Sequence, residues 1–294
     1  MTETHASYDL HLHSYWSYDA LAAPEQFFIQ AQRLGLRAFA VTDHHNFDAF
    51  GEIRALAPKY PGVHFAAGAE MSARTPHGVL DIVCLGLPET PTGTWKDILD
   101  RSHALQCEWG DAISRECLRI GIPFTREARE QVLRSYRPAH VIDVQGITHV
   151  RSTNELEFLF AHGLKSREQF MDDIVSHAMG DDAFLDSRDI IAAVHDAGGI
   201  CLWAHPSDYH PVADEKWLDV LREYAPADGI ECVNSTPPEL AAFYRQYCLK
   251  HKMLSSAGSD SHTCPLDNPD ANGMAKFTAD DRWLDELLER ITLF

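Results

Sequence analysis

The sequence predicts an α/β fold, a parallel sheet or barrel interrupted by a mainly helical insertion. Three observations predict it. Over residues 1–92 and 183–294, short apolar runs alternate with amphipathic helical patterns. Over residues 93–182, β-branched runs are few and the pattern is mainly helical. The chain has 294 residues, 45% of them hydrophobic, enough for one large domain or for one domain carrying an insertion.

The elements follow in order. Tyr8–Leu10 is a short strand leading into His11 and His13. "PEQFFIQAQRLG" is a helix with Phe27, Phe28, Ala31 and Leu34 on one face, Pro24 in its first turn and Gly35 at its stop. "RAFAV" is a strand, and "FDAFGEIRALAPKYPG" a short helix closed by Pro and Gly. "VHFAAGAE" and "VLDIVCLG" are two further strands. "WKDILDRSHALQCEWGDAISRECLRIG" and "SREQFMDDIVSHA" are helices of the insertion. The alternation then resumes. "DSRDIIAAVHDAGG" is a helix capped by Asp186 or Ser187, and "ICLWAHP" is a strand. "EKWLDVLREYA", "GIECVNS", "PELAAFYRQYCLKH" and "MLSSAGSDSH" read as helix, strand, helix and strand. "DDRWLDELLERITLF" closes the chain as a helix.

Charge and cysteines narrow the class. The formal charge is −19, and such a surface repels duplex nucleic acid, whose nonspecific binding runs on Lys and Arg at phosphates. A small phosphorylated ligand remains compatible, because bound cations reverse the field inside a cleft. The seven cysteines are odd in number and form no Cys-x-x-Cys, which reads as reduced, mostly buried thiols. The first ten residues carry neither a basic nor an apolar signal region, and no run approaches ~18 apolar residues. A cytoplasmic protein with no membrane partner is the expectation. The oligomeric state is left open.

Seventeen histidines is a high count, and position decides which matter. In parallel α/β architectures, sites form at the carboxyl ends of strands. His11 and His13 end the first strand, Asp43 and His44 the second, and Glu70 the third. Asp81 lies within the fourth, His205 ends a fifth, and Asp260 and His262 end a late one. Asp19 is on the loop after the first strand. Residues i and i+2 of a strand point to the same side, so His11 and His13 can grip one ion, and Asp260 and His262 repeat the geometry. Histidines with carboxylates and no thiolates suit Mn, Zn or Fe, and this many ligands suggests two or three divalent ions. Plain structural readings stand beside these. His44 could be a core histidine, Asp43 a helix cap, His205 a strand end and Asp81 a buried structural carboxylate.

Taken in order, "DLHLHSYWSYDA", "VTDHHNF", "GAEMS", "AHP" and "SSAGSDSH" resemble the PHP (polymerase and histidinol phosphatase) family, and most closely its stand-alone phosphoesterase branch. The resemblance implies a distorted seven-stranded β/α barrel with a two- or three-metal centre. It implies that His11, His13, Glu70 and Asp260 hold one ion, and that Glu70 and His205 with one more ligand hold a second. Asp19, His44 and His262 would hold the third, with Asp43 as a supporting carboxylate. Three departures stand out. Tyr18 occupies the place of the family's Asp, so Asp19 matches only with one inserted residue. Asp81 stands where the family has a histidine, with His77 as a weaker substitute. The family's phosphate-binding "RTHFAR" or "RPHIA" is replaced by "RPAHVID" and "ITHVRS", which leaves His149, then Arg137, His140 and Arg151, as candidates for gripping substrate.

The resemblance implies a metal-dependent phosphoesterase acting on a small phosphorylated metabolite, such as a nucleoside 3′,5′-bisphosphate or a nucleotide. Two ions ~3.5–4 Å apart would share a bridging hydroxide as nucleophile. His45, His149 and His210 are candidate proton donors to the leaving group. The competing readings are a cyclic phosphodiesterase for a sugar cyclic phosphate, an amidohydrolase cutting C–N bonds, and a metal-binding domain without turnover. No lysine stands out at a mid-barrel strand end, which weighs against the amidohydrolase.

Overall fold

The computed structural model describes residues 5–267 and 273–294. Seven strands form one sheet in chain order: β1 (Tyr8–Leu12), β2 (Ala38–Val41), β3 (Phe65–Thr75), β4 (Gly78–Leu85), β5 (Ile200–Trp203), β6 (Gly229–Val233) and β7 (Leu254–Ala257). The sheet curls into a nearly closed barrel surrounded by helices. Residues just beyond β7 complete the closure. The Asp260 amide donates to the His11 carbonyl at 2.9 Å, and the His13 amide donates to the Ser261 carbonyl at 3.0 Å. Buried Asp9 ties the same seam, accepting from the amides of Ser259 (2.9 Å) and Ala275 (2.7 Å).

The sheet is not uniformly parallel. β4 runs antiparallel to both β3 and β5, whereas β1–β2–β3 and β5–β6–β7 are parallel. Only Pro76 and His77 separate β3 from β4, and so short a turn can join only antiparallel strands. β3 is also longer than the sequence suggested, because "MSART" continues it to the turn. Glu70 therefore lies in the middle of β3, not at its end. A second correction concerns the C-terminus. The last helix stops at Leu288, and Phe294 exchanges two backbone hydrogen bonds with Phe65. The Phe294 ring sits 5.4 Å from those of Phe50 and Phe65, so packing on the barrel replaces continued helix.

β1, β2 and β5 are buried throughout, consistent with strands covered on both faces. Phe27 and Phe28, on the helix Pro24–Leu34, pack on Phe39 of β2. Between β4 and β5, ahead of the helix Ser187–Asp196, the chain forms helices Gly93–Arg119, Arg126–Tyr136, Ala139–Gln145 and Ser152–Ala161, then shorter turns. These build a second apolar cluster around Cys117, Phe124, Leu133, Leu159 and Ile174. The helix Gly93–Arg119 serves both clusters, burying Trp95 and Ile98 in the barrel core and Ile113 and Cys117 in the other. Among the described residues, no helix is long and apolar enough to cross a membrane.

Candidate metal centre

Glu70 organises the centre. Its carboxylate is fully buried, and four imidazoles converge on it. Oε2 lies 3.0 Å from His11 Nε2, 3.1 Å from His13 Nε2 and 3.2 Å from His44 Nδ1, while Oε1 lies 3.0 Å from His205 Nε2. Burial alone would raise the Glu70 pKa, but His11 and His44 outweigh it and hold the carboxyl well below its usual range. The converse holds at the histidines. Burial lowers His44, yet Asp19 and Glu70 carry it up to about 10, and Glu70 carries His205 up to about 9.

Three groups of side chains offer ligand atoms close enough to hold an ion. One is His11, His13, Glu70 and Asp260. The second is His13, Asp19, His44 and His262, and the third is Glu70, Asp81 and His205. All nine residues singled out as ligands from the sequence fall in these groups. Strand geometry brings Asp81 in. It pairs with Ser72 across the β3–β4 ladder, two residues from Glu70, so Glu70 and Asp81 are diagonal neighbours on one face.

The residues suit divalent cations. Glu70 Oε2, Asp81 Oδ1 and Asp260 Oδ1 are buried and accept no hydrogen bond. Nε2 of His11 and Nε2 of His13 face each other at 3.1 Å. Buried acceptors without donors are costly unless a cation or a proton joins them. Nitrogen and carboxylate oxygen without sulfur is the donor set of Mn, Zn or Fe rather than of a thiolate site.

Supporting contacts orient the ligands. Glu231 on β6 lies outside the sequence motifs that mark the ligands. Its Oε1 lies 3.0 Å from His11 Nδ1, and its Oε2 accepts from the His205 amide at 2.9 Å. A carboxylate on the far nitrogen fixes the imidazole tautomer and aims the near nitrogen at the centre. The signal available was one acid in the apolar strand "GIECV". Asp43 accepts from the amide (2.6 Å) and hydroxyl (2.7 Å) of Ser14, pinning the chain just after His13. Tyr209 donates its hydroxyl to Asp81 Oδ2 at 2.5 Å. His205 (φ 26°) and Asp260 (φ 53°) lie in the left-handed region, a conformation that costs residues bearing a Cβ about 1 kcal/mol or more and that clusters at functional sites.

A cavity of about 370 Å³ opens beside Asp81, walled by Tyr18, Trp109, His149, Phe184 and Tyr209 among others. Gly110 sets one wall. A Cβ there would lie 2.9 Å from the His149 amide nitrogen and the Thr148 carbonyl oxygen, so glycine lets the 148–149 segment lie directly on the helix. The other candidate substrate contacts lie elsewhere. Arg137 is 3% exposed and donates to the carbonyls of Tyr15 (3.2 Å) and Trp16 (3.0 Å) and to Gln145. It fastens the helical region to the loop after β1 and does not line the cavity. His140 packs against Tyr15 and Trp16, and Arg151 precedes a helix; neither lines the cavity. Of the candidate acids, His45 and His149 line it, while His210 stacks on Trp217. His77 also stacks on Trp217, at the β3–β4 turn.

Glu155 lines the same cavity. Burial pushes its carboxyl up to about 8, which nearby Arg129 only partly offsets. The folded chain therefore keeps this proton where the unfolded chain has lost it, and stability falls as pH rises from about 4.5 to about 8. Glu155→Gln is expected to gain on the order of 5 kcal/mol over the wild type at pH 8.5 and little at pH 4.5. Urea unfolding of both proteins at the two pH values measures this. Equal differences at both would show that Glu155 is ionised in the fold throughout.

A model of the PHP domain matches residues 9–234. A provisionally assigned metal-dependent phosphoesterase from Bifidobacterium adolescentis superposes with a TM-score of 0.72 at 21% identity, over 97% of this chain and 96% of that one. An amidohydrolase from Chromobacterium violaceum, solved with bound sulfate and no metal, gives a TM-score of 0.71 at 21% identity over 98% of both chains. At this identity the two share the barrel fold. An error-prone DNA polymerase from Nocardia farcinica is 44% identical over 66 residues, which is 22% of this chain and 6% of the polymerase.

Proposed function

The chain belongs to the PHP domain family, and from that premise we propose that it is a metal-dependent phosphoesterase releasing phosphate from a small phosphomonoester. The observation that carries this reading is the Glu70 carboxylate, within 3.2 Å of a nitrogen of each of four histidines. One carboxylate common to two ligand groups is what neighbouring ions need. In this reading His11, His13, Glu70 and Asp260 hold one divalent ion, and Glu70, Asp81 and His205 hold a second. Asp19, His44 and His262, with His13 beside them, hold a third. Residues 1–92 and 183–294 are the catalytic core, and 93–182 cap it.

Bound ions supply Lewis acidity, which activates water near neutral pH and offsets charge growing on phosphoryl oxygens. The chain's own residues do the rest. Glu231 accepts the His11 Nδ1 proton, and the Asp260 carbonyl accepts the His262 Nδ1 proton at 2.8 Å, so both Nε2 lone pairs face inward. Tyr209 occupies Oδ2 of Asp81 and leaves Oδ1 free for the centre. Burial, with repulsion from His44, drops the His45 pKa to about 3, and burial does the same at His149. Each is then a neutral donor of one N–H to a substrate oxygen.

The deciding experiment assays phosphate release from phosphomonoesters, 3′,5′-bisphosphates and cyclic phosphates with Mn, Zn or Fe. Amides are assayed beside them, since one structural neighbour is named an amidohydrolase. Phosphomonoester turnover that is lost in the His11→Ala/His13→Ala double variant is expected. Full phosphate release by that variant, or turnover of amides alone, would overturn the reading.

A further inference from the structure

The three ligand groups differ in their donors. His13, His44 and His262 with Asp19 offer three imidazoles and one carboxylate, and His11, His13, Glu70 and Asp260 offer two of each. Glu70, Asp81 and His205 offer two carboxylates and a single imidazole. Donor type decides which divalent cation a site favours. Imidazole suits Zn and Fe, whereas carboxylate and water suit Mn and Mg.

The surroundings widen the difference. His11, His13 and Glu70 are fully buried, so the group they form with Asp260 has little access to water. Glu70, Asp81 and His205 supply one donor fewer, and Asp81 lines a cavity of about 370 Å³. A space of that size holds several waters. Mn and Mg retain waters in their shell, whereas four protein donors suffice for Zn. The lone imidazole of this group is also poorly supported. Nδ1 of His205 has no hydrogen bond, whereas Nδ1 of His11 faces Glu231 Oε1 at 3.0 Å, and such a partner makes an imidazole a stronger ligand. The carboxylates are better held. Tyr209 donates to Asp81 Oδ2 at 2.5 Å and leaves buried Oδ1 without a donor, and Glu70 Oε1 lies 3.0 Å from His205 Nε2.

We propose that the three groups select different cations and that Asp81 sets the difference. Glu70, Asp81 and His205 take a hard, oxygen-preferring cation of the Mn or Mg class, and the two histidine-richer groups take Zn or Fe. This rests on the reading of these residues as a multinuclear metal centre, and not on which bond the centre cuts.

The test reads metal binding directly. Protein freed of metal with a chelator is given two equivalents of Zn and then titrated with Mn, and bound Mn is followed by loss of the free-ion EPR signal. About one further equivalent of Mn is expected to bind, one for the remaining group. Asp81→Asn should weaken that Mn about tenfold or more, and Asp81→His should lower about tenfold the Zn concentration that displaces it. Asp260→Asn, in a histidine-richer group, should cost Zn and leave the Mn equivalent in place. Mn uptake indifferent to both Asp81 variants, or a wild-type protein that takes a third Zn as readily as Asp81→His, would overturn the proposal. Phosphate release by protein that holds Zn and takes up no Mn would overturn it and keep the phosphoesterase reading. Asp81-dependent Mn binding with no phosphate release from any ester would sink that reading and keep the cation assignment.

Discussion

Glu70→Gln is expected to strip the centre of metal and to cut phosphate release on the order of 10³-fold or more, while the chain stays folded. Gln keeps the shape of the side chain, so the middle of β3 keeps its packing. It loses the charge that draws four imidazoles together, and its amide hydrogens would point at nitrogens that should face an ion. No neighbour can take over, because Asp81 and Asp260 each reach only one of the two groups that Glu70 joins. Elemental analysis of protein purified without chelators, with circular dichroism for the fold, checks the expectation. Wild-type metal content in the variant would show that Glu70 is a structural carboxylate satisfied by protonated histidines.

Gly258→Ala should be nearly as damaging, and for a steric reason. A Cβ at 258 would fall 2.2 Å from the His11 Cβ, and 2.8 Å from the His11 amide nitrogen and Glu231 Oε1. None of the three can retreat. His11 is fully buried, its carbonyl is bound by the Asp260 amide, and Glu231 holds both His11 and His205. The expected result is a loss of about 3 kcal/mol, since overpacking a tight site costs that much, together with reduced metal content because His11 is displaced. Gly51→Ala is the control. Its Cβ would meet nothing within 4 Å, and it sits in the helix Phe50–Leu56, where alanine gains about 0.5–1 kcal/mol over glycine. Thermal unfolding and metal analysis of the two variants should move apart. A Gly258→Ala protein with wild-type stability and metal content would mean the β1–β7 seam is slack.

The candidate metal centre was legible because the residues that form it lie close in sequence to recognisable strands. His11–Leu12–His13 and Asp260–Ser261–His262 repeat the i, i+2 spacing that puts two side chains on one side of extended chain. The direction of β4 was not legible, since alternation carries no sign, and a two-residue turn that makes two strands a hairpin looks like any polar break. Asp81 therefore stood as an acid within a strand, and only the β3–β4 register made it a diagonal neighbour of Glu70. Arg137 misled for a related reason. A basic residue in a helical insertion invites a role at substrate, but its donors are consumed by backbone carbonyls 121 and 122 residues away.

By itself, then, the sequence determined the strand–helix alternation, the helical character of residues 93–182 and the family that the His and Asp motifs mark. These depend on side-chain period and local spacing, which a chain carries wherever it folds. Tertiary structure alone decided that Glu70 lies at the crossing of two ligand groups, that Glu231 backs His11, and that aromatic rings wall the cavity beside Asp81. Each of those depends on contacts between segments far apart in the chain, set by sheet register and by packing of the 93–182 helices on the barrel, and local spacing holds no record of either.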